Sequence, residues 1–190
     1  MPEMKIADSG MPDEAYWNSL FDIAGIMAWL PARVVDVAEI GCGYGSFTLP
    51  LAQKISGKLY AFDIDTAMLE IAQNNARKAG LGNVLFSRRD VLEEGTGLAA
   101  ESVDLVLLFN ILHFSERRLL LAESARVLKK GGVLAIIHWR KDIPTPRGPA
   151  LALRPDLPQI LADASGLSLA LHGSSELLPP YHWGMQLRKV

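Results

Sequence analysis

The sequence predicts an α/β protein built on a mostly parallel, doubly wound sheet with helices on both faces. Three observations carry this prediction. Short apolar runs, of the kind buried parallel strands favour, alternate with stretches of helical periodicity between residues 33 and 140. The first run ends in Glu39-Ile40-Gly41-Cys42-Gly43-Tyr44-Gly45, a strand that turns through glycines towards a helix. Polar residues follow each of the first five runs, at the strand ends where open parallel sheets bind their ligands.

Taken in order, residues 1–12 hold two prolines and mixed charges and are expected to be loose. Residues 13–30 place Tyr16, Trp17, Leu20, Phe21, Ile23, Ile26, Met27 and Leu30 at helical spacing before Pro31, which predicts one N-terminal helix, either packed on the domain or serving as a lid. Strands are expected at 34–40, 58–62, 84–88, 103–109 and 133–138. Asp65 or Thr66 caps a helix that carries Met68, Leu69, Ala72 and Ala76 inward and stops at Gly80. Ser115 is expected to cap another, which runs through Leu119, Leu120, Ala122 and Val127 and stops at Lys129-Lys130-Gly131-Gly132. Five prolines make residues 143–158 a loop or broken helix, followed by a helix near 157–165 and two late strands, 167–171 and 183–190, paired as an edge hairpin. Residues 1–190 form one domain: a core over 33–140 and an acceptor-side tail over 141–190.

The bulk numbers narrow the function. A chain of 190 residues with 49% hydrophobic and 21% charged residues is an ordinary globular domain. A net charge of -2 provides no basic footprint, so nucleic acid is a disfavoured substrate. One cysteine, Cys42, rules out an internal disulfide and a multi-cysteine zinc site, and no metal is expected. No apolar run approaches the ~20 residues of a membrane span. The expectation is a cytoplasmic protein acting on a small molecule, its oligomeric state open.

Glu39 distinguishes between two cofactor classes. A dinucleotide presents a pyrophosphate to the helix N-terminus, and a carboxylate beside it would repel it. Its G-x-G-x-x-G pattern also requires glycine at position 46, where the chain has Ser46. S-adenosylmethionine presents a sulfonium and an amino group, for which Glu39 is a partner, directly or through water. Gly41, Cys42 and Gly43 then offer bare backbone to it. Asp63, one strand-loop-helix-strand unit after Gly41, can accept both ribose hydroxyls. Asp90 can accept the adenine amino group while Val91 donates its backbone N–H, with Ile64 and Val91 sandwiching the ring; alternatively Asp90 pairs with Arg88 or Arg89. Asn110 and His113, polar residues at the end of an apolar strand, need backbone, cofactor or substrate partners.

These stretches resemble class I S-adenosylmethionine-dependent methyltransferases, most closely the small-molecule branch that includes the quinone-biosynthesis C-methyltransferases. The likeness lies in residues 35–52, 60–80, 90–91, 102–113 and 125–137, with Arg126-Val127-Leu128-Lys129-Lys130-Gly131-Gly132 a close match to a late helix-turn. It implies a Rossmann-like sheet of seven strands with the last antiparallel. It also implies Glu39 and Gly41 at the methionine end, Asp63 at the ribose and Asp90 at the adenine. Glu39 stands where the family more often has aspartate, and one cysteine argues against arsenic methylation.

Methyl transfer is an in-line displacement that needs a side-chain base only when the acceptor arrives protonated. His113 is the candidate base. The acceptor is expected between the N-terminal helix and the loops after the fourth and fifth strands, near Trp17, His113, Trp139 and Arg140, with Tyr181 and His182 reaching the same rim. One rival, an NAD-dependent oxidoreductase, is disfavoured by Glu39, by Ser46 and by the lack of a Tyr-x-x-x-Lys pair. The other is a domain that binds the cofactor without catalysis.

Overall fold

The computed structural model describes residues 10–190, so most of the stretch expected to be loose lies outside the described residues. β1 (Val37–Ile40), β2 (Leu59–Asp63), β3 (Val84–Arg88), β4 (Val103–Phe109) and β5 (Leu128–Trp139) run parallel in the order β3-β2-β1-β4-β5. β8 (His182–Lys189) joins β5 antiparallel, and β6 (Leu169–Leu171) and β7 (Glu176–Leu178) share the far edge of β8. The last strand is thus antiparallel, as expected, but among the described residues the sheet has eight strands where seven were predicted. The extra strand comes from a bulge: Leu171 faces Leu187 and Glu176 faces Gly184, so two surplus residues split one edge strand into two.

Alternation along the strands separates two cores. Leu59, Leu105, Leu107, Ile137 and Trp139 point to one face, against Phe21, Ile26 and Met27 and against Phe47 and Leu51 around α3 (Thr48–Ala52). Ala38, Val106, Leu108, Leu134 and Ile136 point to the other, against α6 (Arg117–Val127) and α7 (Leu157–Ala164). Each fully buried Leu, Ile or Val contributes about 1.5–3 kcal/mol. α4 (Thr66–Lys78) is capped by Asp65, which accepts from the N–H groups of Ala67 and Met68, as expected.

Two predicted elements differ. The N-terminal helix is two: α1 (Glu14–Ser19) and α2 (Ile23–Trp29), each with an aspartate cap, Asp13 and Asp22. The chain breaks between them because Phe21 pairs with Pro180 in an isolated bridge. The late helix ends at Val127, and the Lys-Lys-Gly-Gly stretch belongs to β5, whose first turn holds Gly131 at φ 80°. Lys129 reaches Asp104 at 2.9 Å and Asp36 at 3.7 Å, tying β5 to β4 and to the approach to β1. Ser115 does not cap α6: its hydroxyl donates to Glu116, the residue at the cap position.

Candidate cofactor and acceptor site

The glycine loop is held by its own backbone. Gly41, Gly43 and Gly45 have φ of 80°, 52° and 83°, a region that side-chain-bearing residues avoid. The N–H groups of Gly41 and Cys42 both donate to the Phe62 carbonyl at the end of β2, at 2.8 and 3.0 Å. A Cβ on Gly41 would stand 2.8 Å from Ile111 Cγ2, so the loop also packs directly on the segment after β4.

Asp63 braces this loop. Its Oδ2 accepts from Gly43 N–H at 2.8 Å and its Oδ1 from Asp65 N–H at 3.0 Å. Burial raises its pKa, and the two backbone N–H bonds oppose the rise. Each oxygen keeps a lone pair, which suits a vicinal diol. Glu39 is 1% exposed beneath the loop and accepts from the Thr48 hydroxyl. Burial pushes its carboxyl up to about 8; the Thr48 bond works against this and the charge of Asp63 adds to it.

Farther along the rim, Asp90 caps α5 (Val91–Glu94) by accepting from Leu92 N–H at 3.0 Å, and Arg89 lies 3.9 Å from Glu94. Val91 is buried in the core and Ile64 is half-buried between Asp63 and Asp65. Asn110 takes φ 60° at the end of β4, its N–H donates to the Ile137 carbonyl, and among the described residues neither its Oδ1 nor its Nδ2 has a hydrogen-bond partner although both are buried. A buried amide left this way costs about 1–3 kcal/mol, so a ligand on this rim would find a donor and an acceptor already desolvated. The positive-φ loop, the braced diol acceptor and this orphaned amide fit S-adenosylmethionine.

The predicted acceptor residues divide into three. Trp17, Trp139, Tyr181 and His182 come together: His182 stacks on Phe21 with centroids 4.3 Å apart and lies 4.2 Å from Trp139, which is 6.2 Å from Trp17 and 6.5 Å from Tyr181. His113 lies apart from them, 6.2 Å from His138. Arg140 turns away and forms a two-pronged ion pair with Asp142, at 3.0 and 2.6 Å, on a groove shared with Lys141, Asp156 and Trp183. Burial pushes both His138 and His182 down to about 3, and among the described residues neither ring has a hydrogen-bond partner.

Sequence reasoning missed Phe21, Phe47 and Phe109, which continue the cluster at 5.1 and 4.9 Å spacings. Their positions, at the glycine-loop exit and a strand end, were the available signal for the last two. The N-terminal segment is tied to the glycine loop, to α4 and to the proline-rich loop after β5. Tyr44 donates to the Pro12 carbonyl, Ser46 to Asn18 at 2.5 Å, Asn75 to Glu14 at 2.9 Å and Arg147 to the Gly10 carbonyl at 2.8 Å.

Comparison with known proteins agrees with this geometry. A family profile described as a methyltransferase domain matches residues 37–132. The 23S rRNA (uracil(1939)-C(5))-methyltransferase RlmD of Aeromonas salmonicida is 33% identical in an alignment of 132 positions that covers 58% of this chain and 30% of that protein. Aklanonic acid methyltransferase DauC of Streptomyces sp. (strain C5) is 31% identical in an alignment of 132 positions that covers 62% of this chain and 59% of the relative. The chain therefore spans less than two thirds of either relative. The crystal structure of a SAM dependent methyltransferase from Aquifex aeolicus shares the fold with a TM-score of 0.80 over 94% of both chains, at 24% identity. With half of its length on the family profile, from β1 through the glycine loop to the start of β5, the chain belongs to the methyltransferase domain family, the class I S-adenosylmethionine-dependent methyltransferases.

Proposed function

We propose that this protein transfers the methyl group of S-adenosylmethionine to a small, flat aromatic acceptor of the kind handled by the quinone-methylating branch. The observation that carries the reading is the aromatic cluster of Trp17, Phe21, Trp139, Tyr181 and His182, gathered at the end of β5 beside the exit of the glycine loop. Phe21, Trp139 and His182 are buried against one another, and the part-exposed Trp17 and Tyr181 at the margin of the cluster are the rings that would meet the flat face of an acceptor.

Gly41, Cys42 and Gly43 hold the methionine end, with Glu39 beneath them; Asp63 takes the ribose; Asp90, Ile64 and Val91 surround the adenine; the Asn110 amide faces the cofactor from the end of β4. When bound, the cofactor supplies a sulfonium-activated methyl group. The chain's part is alignment, worth effective molarities of roughly 10⁵–10⁸ M in well-oriented reactions. His113 is the candidate base where the acceptor carries a proton, a contribution of roughly 10²–10⁴-fold, although it stands outside the aromatic cluster, 6.2 Å from His138. The single cysteine supports a reducing, cytoplasmic setting.

Calorimetry with S-adenosylhomocysteine and with NAD tests the cofactor: micromolar or tighter binding of the first and none of the second is expected. Transfer of labelled methyl to a small-molecule fraction of a cell extract tests the reaction, and a cofactor-binding protein that labels nothing would mark a non-catalytic domain. His113→Ala with unchanged turnover would remove that residue as the base. The RlmD relatives favour a second reading, an RNA acceptor. Its signature would be label in RNA and affinity that falls steeply with salt; the net charge of -2 speaks against it.

A further inference from the structure

The acceptor side of the molecule holds a buried cation that, among the described residues, has no carboxylate partner. Arg154 is 6% exposed, and its guanidinium donates to three carbonyls, those of Pro149 at 2.9 Å, Arg140 at 2.5 Å and Arg147 at 3.3 Å. Among the described residues no carboxylate pairs with it. The acids nearest in sequence are engaged elsewhere: Asp142 by Arg140, and Asp156 by Lys141 and by the Gln159 N–H that it caps. Burial alone lowers its pKa, with no acid raising it, and a guanidinium keeps its proton regardless.

Its location is set by backbone contacts. Arg140, whose carbonyl Arg154 holds, follows Trp139 at the end of β5 and donates its N–H to the Tyr181 carbonyl. A Cβ on Gly148 would stand 2.9 Å from the Trp139 ring, so the loop that Arg154 clips lies on the aromatic cluster. The ionisable neighbours that bear on this end of the sheet are His182 on β8, His138 on β5, His113 after β4 and Arg117 on α6; Arg117 is paired with Asp163 of α7 at 2.5 Å. His138 and His182 are 0% and 1% exposed with unpartnered rings. The acids Glu39, Asp63, Asp65 and Asp90 all stand at the ends of β1 to β3. At the acceptor end Arg140 and Lys141 are paired with Asp142 and Asp156, and Arg117 with Asp163, which leaves Arg154 as the buried cation without an acid among the described residues.

Burying a guanidinium without an anion is costly, and three carbonyls solvate it without neutralising it. We infer that the methyl acceptor is an acidic aromatic molecule whose anionic oxygen, a phenolate, enolate or carboxylate, is held at the acceptor end by Arg154 with His182 beside it. This rests on the proposed methyltransferase reading and names the class of its acceptor. An anion there remains a nucleophile in a dry site, and its charge is cancelled when it takes the methyl of a sulfonium. No metal or oxidant is needed: one oxygen–carbon or carbon–carbon bond forms as the sulfur–carbon bond breaks, and the electron pair stays on sulfur.

The test is calorimetry on the full chain loaded with S-adenosylhomocysteine. Probes are 4-hydroxybenzoate and 4-nitrophenolate, with 4-hydroxybenzamide and 4-nitroanisole as neutral counterparts. The anions are expected to bind about tenfold tighter or more, as a charge-assisted hydrogen bond implies, with the two anions separating carboxylate from phenolate recognition. R154Q should abolish the preference and R154K should keep part of it, S-adenosylhomocysteine binding serving as the control for folding. If R154Q does not fold, the wild-type preference and R154K decide. Equal binding of anion and neutral counterpart, tighter binding of the neutral one, or binding of neither overturns the inference. Failure of the wild type to bind S-adenosylhomocysteine overturns the methyltransferase reading itself.

Discussion

Asp63 shows how one side chain can shape a site and also offer itself to a ligand. Its carboxylate fixes Gly43 and Asp65 through their N–H groups and still presents acceptor capacity at the end of β2. Asp63→Asn replaces one of those oxygens by a donor facing a donor. S-adenosylhomocysteine affinity should fall about tenfold or more, since hydrogen bonds to charged groups contribute about 1.5–3 kcal/mol; calorimetry reads the loss. Gly41→Ala acts through the backbone. At φ 80° any Cβ is strained by about 1–2 kcal/mol, and this one would press on Ile111 at 2.8 Å. Both cofactor affinity and the unfolding midpoint should drop, whereas Gly80→Ala, with open space around it at φ 69°, should lower only the midpoint.

At the level of elements, β1, β2, β4 and Asp65's cap could be read directly, because a buried parallel strand is a largely apolar run and its helix is announced by local capping. What escaped prediction was decided by distant partners. The apolar period of residues 13–30 continues across Phe21, yet the chain breaks there because Phe21 pairs with Pro180 and stacks on His182, near the far end of the sequence. Lys-Lys-Gly-Gly has the composition of a helix end but is drawn into β5 by Asp36 and Asp104. The candidate cofactor residues were drawn from a loop and strand ends, and the structure places them at those positions. Arg154 was not, since nothing local distinguishes it from the tail's other arginines. Phe21→Ala tests how far the first break matters: it removes a ring that is 8% exposed and packed on Trp17, Phe47 and His182, and should cost about 3–5 kcal/mol in urea unfolding.

For the molecule as a whole, buried ionisable groups set opposing pH limbs. Glu39 is raised from 4.5 to about 8 on folding, so its stabilising contribution is complete below about 4.5 and is lost as pH rises towards 8. His138 and His182 are lowered from 6.5 to about 3, so theirs is complete above 6.5 and is lost as pH falls towards 3. Stability should therefore peak near about pH 6.5. Urea midpoints across the range check this, and Glu39→Gln should flatten the alkaline side. Binding a cationic ligand over Glu39 favours its ionised form, so cofactor affinity should rise with pH up to about 8 and proton release should accompany binding. The divided strand at the edge of β8 has a consequence for the protein in a crowded solution. A continuous outer strand there would present a row of free N–H and carbonyl groups to another copy, whereas the bulge between Leu171 and Glu176 interrupts that template. Removing two residues of the bulge to fuse β6 with β7 should promote sheet-to-sheet self-association, visible as concentration-dependent light scattering that the natural chain does not show.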